Sequence, residues 1–192
     1  MKKTIFAVAI SLLAASQAMA AGLSDKYSFI GGLGYMNGGD TISSFRFSDG
    51  GSQNLKAGSG VVFTGGVNYR VNNDWSVAAT VGYQVDRASA SNGDAKMERV
   101  PLELAGFYHI NDKFRIGAAL RKASNVKYTS SGAAYSGNYD FDSNVSPVIE
   151  AEYMTSPQLG IKLRYVSEKY KVKGYNANVD ANHFGISAAF YY

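Results

Sequence analysis

The chain has 192 residues, enough for one domain, and no cysteine, which excludes disulfide bonds and thiol chemistry. Its formal net charge is only +4 at pH 7, so the charge balance gives no reason to expect a nucleic-acid partner. Beyond the amino terminus the chain contains no apolar run of about 18 residues, which excludes a transmembrane helix. The 14 Tyr, 21 Gly and three Pro instead fit short strands joined by tight turns.

The first 20 residues have the pattern of a secretory signal peptide. Lys2 and Lys3 precede an uncharged apolar stretch, and residues 18–20 read Ala-Met-Ala, a cleavage motif. The apolar stretch is too short to span a membrane. We therefore predict a signal peptide at residues 1–20 and a single domain at residues 21–192, with cleavage after Ala20 or Ala21.

The remaining sequence divides into eight segments in which apolar and polar residues alternate, the pattern of a β-strand with one apolar face. The predicted strands are residues 26–36, 60–70, 75–86, 97–110, 114–123, 145–155, 159–170 and 181–192. Along the apolar face, aromatic residues lie near the strand ends and smaller aliphatic residues lie between them. Two aromatic belts around an apolar band are typical of a barrel that spans a membrane. A soluble barrel, which is the alternative, would turn its apolar face inward.

The connections between these strands alternate in length. Tight turns are predicted at residues 72–74, 111–113 and 156–158, and longer loops near residues 37–59, 87–96, 124–144 and 171–180. Outer-membrane barrels have short periplasmic turns and long extracellular loops. The sequence therefore predicts an all-β fold, an eight-stranded antiparallel up-and-down transmembrane β-barrel with both termini on the periplasmic side.

These features resemble the small eight-stranded outer-membrane β-barrel proteins of Gram-negative bacteria. The opacity-type and outer-membrane-protein-A-like barrels are the nearest class. The resemblance implies a location in the bacterial outer membrane and contact with outer-membrane lipid and lipopolysaccharide. It also implies recognition by the barrel-assembly machinery through a C-terminal strand that ends at Tyr192. The family includes adhesins, structural barrels, small pores and a few lipid-modifying enzymes, so the resemblance implies architecture more sharply than function.

Charged side chains on the inward face are predicted to pair across two hairpins. Centring the two turns on Asp112 and Pro157 sets the register of both hairpins. The opposed pairs are then Glu103 with Arg121, Glu150 with Arg164, and Glu152 with Lys162. An eight-stranded barrel encloses just enough room for side chains, so we interpret these pairs as a polar plug. The alternative is a proton or ion path through the lumen.

Three inward residues near the extracellular end, His183, Ser187 and Glu168, are the components of an acyl-transfer site. Four residues along a strand separate His183 from Ser187 by roughly 13 Å, beyond hydrogen-bond reach. We therefore predict no enzymatic activity, and a lipid-A-modifying enzyme is the third alternative. The second histidine, His109, lies at the other end of the barrel, so neither a metal site nor a cofactor is predicted.

The loops and the outward basic residues are the remaining candidates for binding. The loop candidates are Phe45, Arg46 and Phe47 in the first long loop, and Tyr128, Tyr135 and Tyr139 in the third. The candidates for contact with lipopolysaccharide phosphates are Arg87, Lys122, Lys169, Lys171 and Lys173. The predicted function is that of a structural or adhesive surface protein that binds host or surface ligands through its long loops. A narrow pore for small solutes or ions is the alternative.

Overall fold

A computed structural model describes residues 26–46, 52–90, 93–132 and 137–192. The predicted signal peptide lies outside these residues. In chain order the strands are β1 (Tyr27–Gly38), β2 (Thr41–Arg46), β3 (Ser52–Lys56), β4 (Gly60–Arg70), β5 (Trp75–Ala90), β6 (Gly93–His109), β7 (Phe114–Gly132), β8 (Tyr139–Ser143), β9 (Ser146–Ser156), β10 (Leu159–Val166), β11 (Lys169–Val172), β12 (Asn178–Asp180) and β13 (His183–Tyr191). In the described part of the chain, no helix is long and apolar enough to cross a membrane.

Eight of these strands close into an antiparallel barrel. Their order around the barrel is β1, β4, β5, β6, β7, β9, β10 and β13, and β13 pairs with β1 to complete the circle. Each barrel strand contains most of one predicted segment. Closure gives every strand two hydrogen-bonded neighbours, which is what allows strands to cross lipid.

The outward face of the barrel is apolar and ends in two belts of aromatic rings, as predicted. Ring pairs mark the belts: Tyr27 with Tyr69 (4.8 Å) and Trp75 with Tyr108 (5.1 Å) on the periplasmic side, and Tyr165 with Phe184 (4.6 Å) on the extracellular side. Between the belts, aliphatic side chains such as Leu102 and Ile149 each expose 62% of their surface. Such exposure is stable only where lipid covers it.

Two of the periplasmic turns are built in the same way. The side-chain oxygen of Asn72 accepts hydrogen bonds from the backbone N–H groups of Asp74 (2.9 Å) and Trp75 (2.8 Å). Asn111 does the same for Lys113 (2.9 Å) and Phe114 (2.8 Å). An asparagine side chain that mimics a backbone acceptor fixes the turn, and the turn fixes the register of its hairpin.

The registers predicted from the turn centres are those of the structure. Across β6 and β7, Glu103 lies opposite Arg121. Across β9 and β10, Glu150 lies opposite Arg164 and Glu152 lies opposite Lys162.

The four long segments expected to be loops are instead largely strand. β5, β6 and β7 continue past the barrel and combine with β8, β11 and β12 into an extracellular sheet, while β2 and β3 form a separate hairpin. We call this extracellular sheet and the adjoining residues 38–46 and 52–59 the cap. Its inner face holds a hydrophobic cluster of its own, formed by Leu55, Ala57, Ala88, Ala95, Met97, Ala123, Val126, Tyr128, Phe141, Tyr170 and Ala181.

A β-bulge interrupts the alternation of β7 where the sequence predicts a loop. Val100 pairs with Ser124, whereas Glu98 pairs with Lys127, so β7 carries one extra residue at this point. Asn125 occupies the bulge with a φ of 50°, a conformation that asparagine tolerates better than most residues. Beyond the bulge the inward positions change from odd to even numbers, which places Val126 and Tyr128 on the inner face.

Candidate functional site

The periplasmic half of the lumen is built around one buried ion pair. Arg115 Nη2 lies 2.7 Å from Glu152 Oε2, and the Tyr191 hydroxyl donates to Glu152 Oε1 over 2.8 Å. The Arg115 guanidinium lies over the Phe107 ring, 4.2 Å from its centroid. Lys162 Nζ lies 3.7 Å from Glu152 Oε2 and extends the series of charged side chains toward the middle of the lumen. Each charge therefore has a partner, as burial requires.

The middle of the lumen continues this series without a break. Lys162 lies 3.7 Å from Glu150, and Arg164 Nε lies 3.6 Å from Glu150 Oε2. Glu103 binds two arginines, accepting from Arg164 over 2.6 Å and from Arg121 over 2.8 Å. The three predicted pairs are thus in contact, and they belong to a single network that we call the ion ladder.

The ladder ends near the extracellular mouth. Arg121 Nε lies 3.4 Å from Glu168 Oε2, and Arg121 Nη2 donates to Gln84 Oε1 over 2.9 Å. Tyr170 donates its hydroxyl to Glu168 Oε2 over 2.8 Å. Tyr170 belongs to the hydrophobic cluster of the cap, so the ladder and the cap share a side chain.

A second set of buried hydrogen bonds lies above the ladder. Arg99 is fully buried and donates to the backbone carbonyls of Ala57 and Ser59, the latter over 2.9 Å. Gln84 Nε2 donates to the carbonyl of Gly58 over 2.9 Å. The segment 57–59, where the first long loop returns to the barrel, therefore lies across the extracellular end of the lumen.

Sequence reasoning found the contacts between neighbouring strands but missed those across the lumen. The Arg164–Glu103 contact joins β10 to β6, which are not neighbours in the sheet. Arg99 was missed because its partners are backbone carbonyls, which leave no signal in the sequence. The inward position of Glu168 was the hint that the sequence offered of its place in the network.

The components of the acyl-transfer alternative have other partners. Glu168 is bound by Tyr170 and Arg121, and the His183 ring nitrogen Nδ1 lies 2.7 Å from the carbonyl oxygen of Ala181. Ser187 lies opposite Lys162 in the sheet. Within the described residues, no hydrogen bond joins His183 to either Ser187 or Glu168.

The five basic residues proposed for phosphate contact are all exposed, but they differ in their neighbours. Arg87 forms an ion pair with Asp94 at 2.8 Å, and Lys173 lies 3.3 Å from Asp142. Lys122 lies opposite Leu102, at the upper margin of the apolar band. The other two residues are Lys169 and Lys171, which face outward on β11. The basic residues therefore lie along one part of the extracellular margin, on β5, on β7 and along β11.

The six loop candidates fall into four groups, of which Tyr139 is the last. Tyr128 is a correction: it lies on β7, only 1% exposed, in the hydrophobic cluster of the cap, because the bulge at Asn125 turns it inward. The backbones of Phe45 and Arg46 lie on β2. The residues outside the described part of the chain are Phe47 and Tyr135.

Tyr139 lies at the rim of an extracellular cleft of about 470 Å³. The cleft is lined by Asp40, Thr41, Ile42, Tyr139, Phe141, Val172 and Val179. Tyr175, which sequence reasoning missed, packs edge-on against Tyr139 with ring centroids 6.3 Å apart and exposes 62% of its surface. The cap therefore presents an apolar cleft with two tyrosines beside it.

The family model of the outer membrane protein beta-barrel domain matches residues 5–191 of the chain. The chain belongs to this family. It is therefore an integral protein of the bacterial outer membrane, and its apolar band faces outer-membrane lipid.

The fold of this chain is similar to that of several small outer-membrane barrels with solved structures. Ail, the attachment invasion locus protein of Yersinia pestis, has a TM-score of 0.57 at 16% identity, covering 88% of this chain and 100% of Ail. Neisserial surface protein A has a TM-score of 0.48 at 11% identity, covering 85% and 96%. OprG of Pseudomonas aeruginosa has a TM-score of 0.47 at 15% identity, covering 89% and 98%. The similarity to Ail shows a shared fold. A search of curated proteins found no match to the chain.

Proposed function

We propose that this outer-membrane barrel is a surface-binding protein, with a lumen that does not pass solutes and a cap that holds an extracellular ligand. The observation that carries the proposal is the cap itself. Its sheet and its hydrophobic cluster form a folded platform above the membrane. Binding surfaces are commonly held by rigid scaffolds in this way.

The ion ladder supports a closed lumen. The mid-lumen cavity beside Glu103, Glu150 and Arg164 has a volume of only about 30 Å³, room for about one or two water molecules. A hydrated ion would have to separate buried ion pairs in order to pass, and an unpartnered buried charge costs about 3–5 kcal/mol. This cost disfavours conduction, so a narrow pore is only the second candidate function.

The cleft in the cap supports adhesion as the form of binding. Its apolar lining and the adjacent Tyr139 and Tyr175 rings suit a ligand with an exposed apolar face, since tyrosine supplies rigid contact area at low entropic cost. Ail, which shares the fold, is named for attachment. We propose no catalytic role, because Glu168 is occupied by Arg121 and Tyr170.

Contact with lipopolysaccharide phosphates belongs to the same proposal. Lys122 is the best placed of the basic residues, because its outward neighbour Leu102 belongs to the apolar band. Arg87 and Lys173 also contact carboxylates, which weakens the attraction that each can offer to a phosphate. Recognition of the C-terminal strand by the assembly machinery stays a prediction.

Two measurements on one set of proteins test this proposal. The first is planar-bilayer conductance of the refolded protein and of a Glu103→Ala, Glu150→Ala variant. We expect a silent wild-type protein and conductance only in the variant. The second is binding of cells that display the protein to a panel of immobilised glycans and extracellular proteins. We expect binding to at least one member, and loss of that binding on Tyr139→Ser, Tyr175→Ser substitution.

The matched control is a Lys127→Ala, Thr129→Ala variant, which alters the outer face of the same sheet. It should bind like the wild-type protein. Single-channel steps in the wild-type protein would favour the pore. A silent barrel that binds no panel member, or binds equally well without the two tyrosines, would contradict adhesion through the cleft.

A further inference from the structure

The lumen widens at its periplasmic end into a vestibule of about 680 Å³, opposite the cap. The ends of β1, β4 and β13 and two of the tight turns form its walls. Four positively charged side chains and one negatively charged side chain line it. The positive ones are Lys26, Arg70, Lys113 and Arg115, and the negative one is Asp112. Positive side chains therefore exceed negative ones in the lining.

The floor of the vestibule is closed and electrically balanced. Arg115 is only 4% exposed, and Glu152 binds it at 2.7 Å. The rings of Phe107 and Tyr191 lie 4.2 and 5.0 Å from the guanidinium carbon. An anion in the vestibule would therefore meet a rigid floor, and the attraction would come from the walls.

Two of the positive side chains in the walls are those of Arg70 and Lys113. Arg70 donates to the backbone carbonyls of Asn72 (3.1 Å) and Asn73 (2.7 Å), which fix the orientation of its guanidinium. Lys113 lies in the turn that Asn111 stabilises. The side-chain oxygen of Asn111 accepts a hydrogen bond from the backbone N–H group of Lys113. Within the part of the chain that the structure describes, neither Arg70 nor Lys113 takes part in an ion pair.

We propose that this vestibule binds a small multivalent oxyanion, a phosphate or a polycarboxylate, from the periplasm. A concave, water-filled site with low-dielectric walls focuses the field of its charges and raises the local concentration of counter-ions. The fork of an arginine matches the oxygens of phosphate and carboxylate groups, and a guanidinium that carbonyls already orient loses little freedom on binding. The site is at the opposite end of the barrel from the cap and does not depend on the proposed adhesion.

The test is a titration of the refolded full-length mature protein in neutral maltoside micelles, followed by backbone amide chemical shifts. Inorganic phosphate and citrate are the two probes, and sodium chloride at matched ionic strength is the reference. We expect saturable shifts at Arg70, His109 and Lys113 with phosphate or citrate and none with chloride. The stronger of the two probes identifies the class of oxyanion.

An Arg70→Ala, Lys113→Ala variant should bind the stronger probe more weakly by about tenfold for each side chain removed, the effect of losing a charge-assisted hydrogen bond. Lys127→Ala removes an exposed charge from the outer face of the extracellular sheet and should leave binding unchanged. Lys113→Ala alone, in an exposed turn, keeps the test available if the double variant does not fold. Unsaturable shifts, equal shifts with chloride, or wild-type affinity in the variants would overturn the proposal, whatever the cap binds.

Discussion

Replacing Glu103 with alanine should destabilise the barrel more than any change to an exposed charge. Glu103 is 8% exposed, and both of its carboxylate oxygens are in use, one by Arg121 at 2.8 Å and the other by Arg164 at 2.6 Å. The substitution removes one negative charge and leaves two buried guanidinium groups with fewer partners.

The remaining contacts set the size of the effect. Removal of one partner from a buried ion pair costs about 3–5 kcal/mol. Arg121 keeps Glu168 at 3.4 Å and Gln84 at 2.9 Å, and Arg164 keeps Glu150 at 3.6 Å. Because both arginines keep a partner, we expect the lower end of that range, a loss of about 3 kcal/mol in the free energy of unfolding.

Urea unfolding in phospholipid vesicles measures this loss. The single tryptophan, Trp75, lies half-exposed on the lipid-facing side beside Tyr108, so its fluorescence reports exit from the membrane. The control is Glu98→Ala, which removes a carboxylate from the extracellular surface. The Glu98–Lys96 pair is partly exposed, so we expect a loss below about 1 kcal/mol.

A double-mutant cycle gives the refuting result. Removing Arg164 together with Glu103 takes away both charges, so the double variant should lose less stability than the two single variants combined. If Glu103→Ala costs no more than Glu98→Ala, and the cycle shows no coupling, then water screens the ladder. The lumen would then be wet, and the case for a closed barrel would fail.

Three further predictions follow from other parts of the molecule. Gly66→Ala should destabilise the barrel by more than about 1 kcal/mol, because its new Cβ would clash with the backbone oxygen of Ala79, whereas Gly65→Ala faces open lipid and should be near neutral in the same urea assay. Arg87 and Ser89 donate hydrogen bonds that hold the pKa of Asp94 below its usual 3.8. That contribution to stability is present above pH 4 and is lost as the pH falls through the lowered pKa. Arg87→Ala should raise the Asp94 pKa in a carboxyl NMR titration, and an unchanged value would mean that the pair does not form. Charge reversal of the outward lysines should weaken binding to lipopolysaccharide vesicles, and the residues to reverse are Lys122, Lys169, Lys171 and Lys173. Unchanged binding would contradict contact between these residues and phosphate.

The sequence was sufficient where structure is set by near neighbours along the chain. Alternation identified the barrel strands, and turn centres at Asp112 and Pro157 gave the registers that place Glu103 opposite Arg121 and Glu152 opposite Lys162. It was insufficient where structure depends on barrel closure, because contacts across the lumen join strands that are not neighbours. Polar composition also concealed the cap, since outward Ser, Thr and Lys residues alternate there with inward apolar ones.

Arg99 provides a last prediction, because a variant at this residue separates the role of the segment 57–59 from that of the ion ladder. Its guanidinium, buried and hydrogen-bonded to the carbonyls of Ala57 and Ser59, holds the returning segment of the first loop across the extracellular mouth. Arg99→Ala should therefore release the segment 57–59 while the ion ladder below it stays intact.

Hydrogen exchange should then increase at the amides of residues 57–59, since they lose the interaction that keeps this segment buried. Bilayer conductance should remain absent, because Glu103 still binds Arg121 and Arg164. A matched Gln53→Ala variant removes a weaker contact of the same loop, a 3.4 Å hydrogen bond to the carbonyl of Arg87, and should leave exchange at residues 57–59 unchanged. Conductance in Arg99→Ala alone would show that the segment, rather than the ion ladder, is the barrier to ions. Unchanged exchange would show that the hydrogen bonds of segment 57–59 to residues 38 and 40 are sufficient to hold it.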